Sequence, residues 1–130
     1  MLPDWPDGTV AVLSTAARPP HAIPVSTAVR SDATTIDFAL SVRRESLARL
    51  GEDPRCALTV LARGVAFTAH GEARVVEEDE RIAFVRLDVD DVQDHGQPTF
   101  EVEEGVRWRW TDDEAERADA ELREALRRLG

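Results

Sequence analysis

The side chains with chemistry to offer are few. Ser41-Val42-Arg43-Arg44 is the densest group, a hydroxyl and two guanidinium forks at the expected start of a helix. Free backbone N–H groups and arginine forks at such a terminus suit a phosphate. Without a ligand, Arg43 and Arg44 read as two surface charges on a first helical turn. His21, His70 and His95 lie far apart and share no metal-ligand spacing with Cys56 or with a carboxylate pair. Each reads as a polar strand or loop residue. Cys56 stands in the apolar run Cys56-Ala57-Leu58-Thr59-Val60-Leu61, where a free thiol serves as a small hydrophobe. There is no G-x-S-x-G elbow and no P-loop, and the chain has no lysine, which removes Walker A and Schiff-base chemistry. No spacing of serines and aspartates singles out a triad.

Composition narrows the function classes further. A chain of 130 residues has room for one domain, 1–130, around one core. Its single cysteine permits no intrachain disulfide. The net charge of −10 is concentrated in residues 77–104, where Arg81 and Arg86 are the only basic residues among many acids. That segment repels phosphate backbones and anionic lipid, so neither a nucleic acid nor a membrane surface is expected as a partner. No apolar run approaches the roughly 18 residues needed to cross a bilayer. Asp4 stands where a secretory signal would carry basic residues. A cytoplasmic location is the expectation.

The elements that must position these residues are mostly strands. Thr9–Thr15 is β-rich and stops before Arg18-Pro19-Pro20. A second run covers 22–30, with Pro24 placing it at a sheet edge or a bulge. Ser31-Asp32-Ala33-Thr34 turns the chain into a third, Thr35–Leu40. A short helix follows, with Ser41 as N-cap, Leu47 and Leu50 on one face, Gly51 as the left-handed residue after its last turn and Pro54 beyond. Cys56–Ala62 and Val65–Val76 read as strands joined by Arg63-Gly64. Within 78–93, Ile82, Val85, Val89 and Val92 recur at spacings of three and four, which predicts a helix. Thr99–Trp110 reads as a last strand or bulged hairpin, with Val106, Trp108 and Trp110 on one face for a core or an interface. Thr111-Asp112-Asp113-Glu114 is a capping-box signature leading into a helix whose stripe is Ala115, Ala118, Leu122, Ala125 or Leu126, and Leu129. The fold class is thus mainly β: six antiparallel strands closing into a barrel, a short helix after the third strand and a C-terminal helix.

Three stretches together resemble the pyridoxamine 5'-phosphate oxidase-like split barrel. One is the strand-turn-strand Gly8–Thr15 with Pro20–Ser26, another Phe38–Arg55 with its Leu50, Asp53, Pro54 and Arg55, and the third His70-Gly71-Glu72-Ala73-Arg74-Val75-Val76. The resemblance covers roughly 8–110 in consistent order. It implies a homodimer holding FMN, or else a deazaflavin coenzyme, in grooves between two barrels, and an oxidoreductase acting on a small molecule. By that resemblance the phosphate belongs at Ser41, Val42, Arg43 and Arg44, and the ring lies along Ile23, Pro24, Val25 and Ser26 with Leu40 adjacent. Hydride chemistry would belong to the cofactor. Haem handling also occurs in this fold, for which His70 would be the candidate ligand. Two departures from the family pattern stand out. An Arg-Lys pair common in FMN-binding members is replaced by Glu45-Ser46, and basic residues of the second strand by His21 and Ser26. They support an alternative, a cofactor-free split-barrel dimer serving as a binding or scaffold protein. Pyridoxamine phosphate is not an expected substrate, because no basic set for a second phosphate is visible.

Overall fold

The computed structural model describes residues 1–129. In chain order it contains β1 (Ala11–Thr15), β2 (His21–Val25), β3 (Val29–Asp32), β4 (Thr35–Ser41), α1 (Glu45–Glu52), β5 (Arg55–Ala62), β6 (Val65–Glu78), β7 (Ile82–Asp94) and α2 (Asp113–Arg127). The strands form one sheet in the order β2-β1-β5-β6-β7-β4-β3, and every pair is antiparallel. The architecture is mainly β with two helices, as expected, but it has seven strands rather than six.

The extra strand arises because the run 22–30 is broken at Ser26-Thr27-Ala28. Thr27 turns its hydroxyl onto β4, where Oγ1 accepts from the Ala39 N–H at 3.0 Å and donates to the Ala39 carbonyl at 3.3 Å. The break divides the run into β2 and β3, the two edges of the sheet, with no ladder between them. Pro24 therefore sits on an edge strand, where its missing N–H costs nothing.

Two further expectations are overturned. Residues 82–94 form β7, not a helix. Ala83, Val85, Leu87 and Val89 alternate inward while Asp88 and Asp90 face solvent, a period of two. The spacing of three from Val89 to Val92 comes from a bulge. His70 pairs Asp91 and Gly71 pairs Val89, so Asp90 is the extra residue and Val92 returns to the inner side opposite Ala69. A Cβ on Gly71 would lie 2.0 Å from the Asp88 carbonyl oxygen, so the bulge requires glycine there. Residues 99–110 contain no strand. Both edges of β5 and of β6 are already paired, so the segment laces over them instead. It is held where the Gly64 N–H donates to the Val102 carbonyl at 2.9 Å and the Trp108 indole donates to the Gly8 carbonyl at 2.9 Å. Gly105 passes so close to β5 that a Cβ would lie 2.3 Å from the Leu61 carbonyl oxygen.

Both helices depart in detail. α1 begins at Glu45 with Arg44 as an N-cap lacking a side-chain bond, while Ser41 ends β4. Gly51 lies inside α1 without a positive φ, and Asp53 is the C-cap. In α2 the cap is Asp112, whose carboxylate accepts from the Glu114 N–H. Its packed face centres on Leu126 and Asp119, and Ala118 is exposed.

The core gathers Leu13, Phe38, Leu58, Val60, Phe67 and Leu87 from the strands. Leu2 and Trp5, ahead of the first strand, belong to the same cluster. The Trp5 indole donates to the Ala28 carbonyl at 3.0 Å, and its ring tilts against Phe67 at 5.7 Å. Cys56 belongs to the same cluster, and burial pushes its thiol up to about 12. No helix among the described residues is long and apolar enough to cross a membrane.

Candidate functional site

β2 lies where the strand-to-helix unit β4–α1 turns the corner. One end of β2 is tied to β4 through Thr27 and Ala39, the other to α1 through His21. The two stretches singled out in the sequence, Ile23–Ser26 and Leu40–Arg44, therefore lie on neighbouring elements. Their side chains do not all face the same way. Pro24 is exposed and Ser26 half-buried, so these two are available beside the corner, while Ile23 is half-buried with its inner side packed against the core. Val25 and Leu40 are buried in the barrel interior, where they back the wall.

The corner is built from backbone bonds. The Val42 N–H donates to the Arg81 carbonyl at 2.9 Å, the Arg44 N–H to the Ser41 carbonyl at 3.0 Å, and the Arg43 N–H to Ser41 Oγ at 3.3 Å. Ser41 thus spends its hydroxyl on the turn rather than on a helix cap. Ser41, Val42 and Arg43 line a shallow cleft of about 360 Å³, shared with Glu80, Arg81 and Ile82 of the β6–β7 hairpin. Arg43 and Arg44 are exposed, and neither takes part in an ion pair among the described residues.

A polar cluster next to them was not foreseen as a unit. His21 Nδ1 lies 3.3 Å from Glu45 Oε2, and His21 Nε2 shares a 3.2 Å hydrogen bond with Ser46 Oγ. A neutral ring protonated on Nδ1 satisfies both contacts, donating to Glu45 and accepting from Ser46. Glu45 Oε1 also lies 3.5 Å from Arg49 Nη2. Arg49 Nη1 donates to the carbonyls of Ala17 and Pro19, while its Nε is buried without a partner. The Glu45–Arg49 spacing of one helical turn is legible in the sequence. The reach of His21 across from β2 is not. Ser46 is fully enclosed, so the Glu45–His21–Ser46 chain resembles a hydrolytic triad in order only, with no accessible nucleophile.

The other histidines are placed differently. His95 Nε2 lies 2.7 Å from Thr68 Oγ1, itself 2.9 Å from Thr59 Oγ1, a link that fastens the chain after β7. His70 is half-buried on β6 opposite Ala57 and Asp91. No grouping of three His, Cys, Asp or Glu side chains able to hold a metal occurs among the described residues. A cavity of about 400 Å³ lies away from the corner, between Met1 and Pro3 and the Val65-Ala66-Phe67 end of β6. A cleft of about 370 Å³ beside Gly8 is walled by Trp108 and Trp110, whose rings meet edge to face at 5.1 Å.

No protein-family model and no curated protein matches this chain. Solved structures do. A candidate pyridoxamine 5'-phosphate oxidase from Listeria innocua superposes with a TM-score of 0.56 at 12% identity, over 67% of this chain and 88% of that one. An FAD-binding protein from Mesorhizobium loti gives 0.55 at 16% identity, over 65% and 81%. An F420 reductase gives 0.56 at 10% identity, over 66% and 90%. At such identities the likeness concerns the fold, which is the split barrel of the pyridoxamine 5'-phosphate oxidase-like proteins.

Proposed function

We propose that the chain is a split-barrel oxidoreductase that binds a flavin-type coenzyme, FMN or a deazaflavin, at the β2–β4–α1 corner and acts on a small molecule. The observation that carries this reading is the pair Arg43 and Arg44, exposed at the corner with no ion-pair partner among the described residues. Exposed guanidinium groups on the element next to a partly apolar edge strand suit a ligand with a planar ring and an anionic tail. Structural neighbours that include an FAD-binding protein and an F420 reductase support the same class of ligand. When bound, such a group supplies the hydride or electron transfer. Ile23, Pro24 and Ser26 would line its ring, with Val25 and Leu40 behind them. Arg43 and Arg44 would hold its tail, and the N–H groups of the corner are mostly committed to the turn. The test is fluorescence titration of FMN and of a deazaflavin coenzyme with the parent and with Arg43→Glu/Arg44→Glu. Binding by the parent and its loss in the double variant is the expected outcome. Equal binding by both would remove the arginines from the site.

The homodimer belongs to the same proposal. The outer face of β1 and β5 carries Val12, Ser14, Ala57, Thr59 and Leu61, with Val12 40% and Leu61 47% exposed, and Arg55 at the start of β5 is its charged residue. A second copy would cover this face. Leu61→Arg is expected to shift the mass measured by light scattering from dimer to monomer.

A specific observation favours a second reading, the cofactor-free barrel serving as a binding or scaffold protein. Glu45 contacts His21 and Arg49 and so engages polar groups of the corner internally. An absorbance spectrum of the purified protein that stays colourless, with flavin and deazaflavin spectra both unchanged on mixing, would decide for this reading.

A further inference from the structure

The cleft beside Gly8 shares no residue with the cleft at Ser41, Val42 and Arg43. Its aromatic wall is fixed in place. Gly8 adopts φ 79, a conformation that favours glycine, and its carbonyl accepts the Trp108 indole N–H at 2.9 Å. Trp108 nevertheless stays 40% exposed, and Trp110 meets it edge to face at an interplanar angle of 72°. Neither ring belongs to the core cluster. The two indoles form a corner that opens to solvent.

Polar groups of both kinds surround that corner. The Arg123 side chain is only 14% exposed, and its Nη1 donates to Asp119, while its Nη2 has no hydrogen bond among the described residues. The Trp110 indole N–H is likewise unbonded, unlike those of Trp5 and Trp108. Neither atom is enclosed, so two donors remain on residues that line the cleft. Asp7 and Glu116 bring carboxylate acceptors, and Glu116 takes part in no ion pair among the described residues. The charges cancel. Asp7 and Glu116 stand against Arg109 and Arg123, and the adjoining Asp119 and Arg127 add one of each sign.

A cleft of zero net charge returns to an ion from one side chain what it takes away with another. A neutral ring bearing hydroxyl groups fits it better. Each hydroxyl both donates and accepts, so it can use guanidinium, indole and carboxylate partners together. The C–H face of such a ring, slightly positive, lies against the negative face of an indole. The volume of about 370 Å³ suits a small molecule. We propose that this cleft binds an uncharged sugar ring, packed in the corner of Trp108 and Trp110 with its hydroxyls toward Arg123 and Glu116. The site is separate from the β2–β4–α1 corner, so it holds whether or not a flavin binds there.

The probes are the methyl glycosides of glucose, galactose, mannose and N-acetylglucosamine, followed on the full chain by saturation-transfer NMR and tryptophan fluorescence. At least one is expected to bind with a Kd of about 1 mM. Raising the salt is expected to leave that affinity within about twofold, because the ligand carries no charge. Trp110→Ala and Glu116→Ala are each expected to weaken it by about tenfold. Glu116 is exposed and unpaired, so its variant keeps the test open even where Trp110→Ala fails to fold. Adenosine, a flat base on a sugar, and glycine betaine, a zwitterion with a quaternary ammonium, serve as competitors. Each is expected to bind less tightly than the best methyl glycoside. Tighter binding of either overturns the proposal, as does binding of a glycoside that both variants leave unchanged. A parent that binds none of the four at about 50 mM also overturns it. If, in addition, Trp110→Ala lowers the mass measured by light scattering, the indoles belong to a subunit contact instead.

Discussion

Asp37 and Glu45 lie on the same strand-to-helix unit, and each faces an arginine, yet the two carboxylates are built to opposite ends. Asp37 is fully buried in mid-strand. Arg86 of β7 grips it with two hydrogen bonds, 2.9 Å to Oδ1 and 3.0 Å to Oδ2, and Ser31 of β3 donates to Oδ2. It joins three strands at once. Glu45 is exposed and its two contacts are long. Short, bidentate and dry contacts make architecture, because neither partner survives alone in the interior. Long and wet contacts make a carboxylate that a ligand can displace at little cost. Removing each carboxylate tests the contrast. Asp37→Ala is expected to cost about 3–5 kcal/mol in urea unfolding, since it strands the Arg86 guanidinium under the fold. Glu45→Ala is expected to cost less than about 1 kcal/mol. Equal losses would mean that the corner is as much a part of the scaffold as the barrel wall.

The barrel wall carries a second dependence that the corner lacks. Gly71 sits at the β6–β7 bulge, and a methyl group there meets the Asp88 carbonyl, a backbone atom with no room to retreat. Gly71→Ala is expected to cost about 1–3 kcal/mol by the same unfolding measurement, as overpacking does. It should leave any coenzyme affinity at the corner unchanged. A loss of affinity with no loss of stability would couple the two regions and blunt the distinction.

The same bulge explains what could and could not be read from the residues. Val65 to Val76 alternates cleanly and emerges as β6, and Arg63-Gly64 makes the two-residue turn before it, with Gly64 at φ 69. β7 mimics a helix because its valines Val85 and Val89 are two alternations apart and the extra residue Asp90 brings Val92 in three further on, while Ile82 lies on the opposite parity. The stretch 99–110 has strand-like residues, but a strand also needs a free edge, and its neighbours β5 and β6 have none. Whether an edge is free is a property of the whole sheet. The site divides in a similar way. Arg43 and Arg44 are visible as a local pair, and Glu45 with Arg49 as a helical spacing. The contact that makes them a cluster, His21 from β2, depends on how the sheet folds back onto α1.

Titration distinguishes the two regions from the other side, with smaller effects. In the barrel, Cys56 is shielded, and burial raises its thiol from 9.0 to about 12. Between those values the unfolded chain has lost a proton that the folded chain keeps. The stabilisation is therefore complete below pH 9 and falls as pH rises, by up to about 1.4 kcal/mol per pH unit. Near the corner, just past α1, the Arg55 guanidinium and backbone N–H hold Asp53 down from 3.8 to about 2. The sign is reversed here. The contribution is present above pH 3.8 and lost as pH falls through about 2, and it is smaller because both side chains meet solvent and salt screens them. Urea midpoints measured across pH for the parent, Cys56→Ala and Asp53→Asn give the comparison directly. Cys56→Ala is expected to flatten the alkaline limb irrespective of salt. Asp53→Asn is expected to trim the acid limb slightly, and only at low ionic strength. An alkaline limb that stays as steep in Cys56→Ala would show that water already reaches the barrel interior around residue 56, and the wall would then be no drier than the corner.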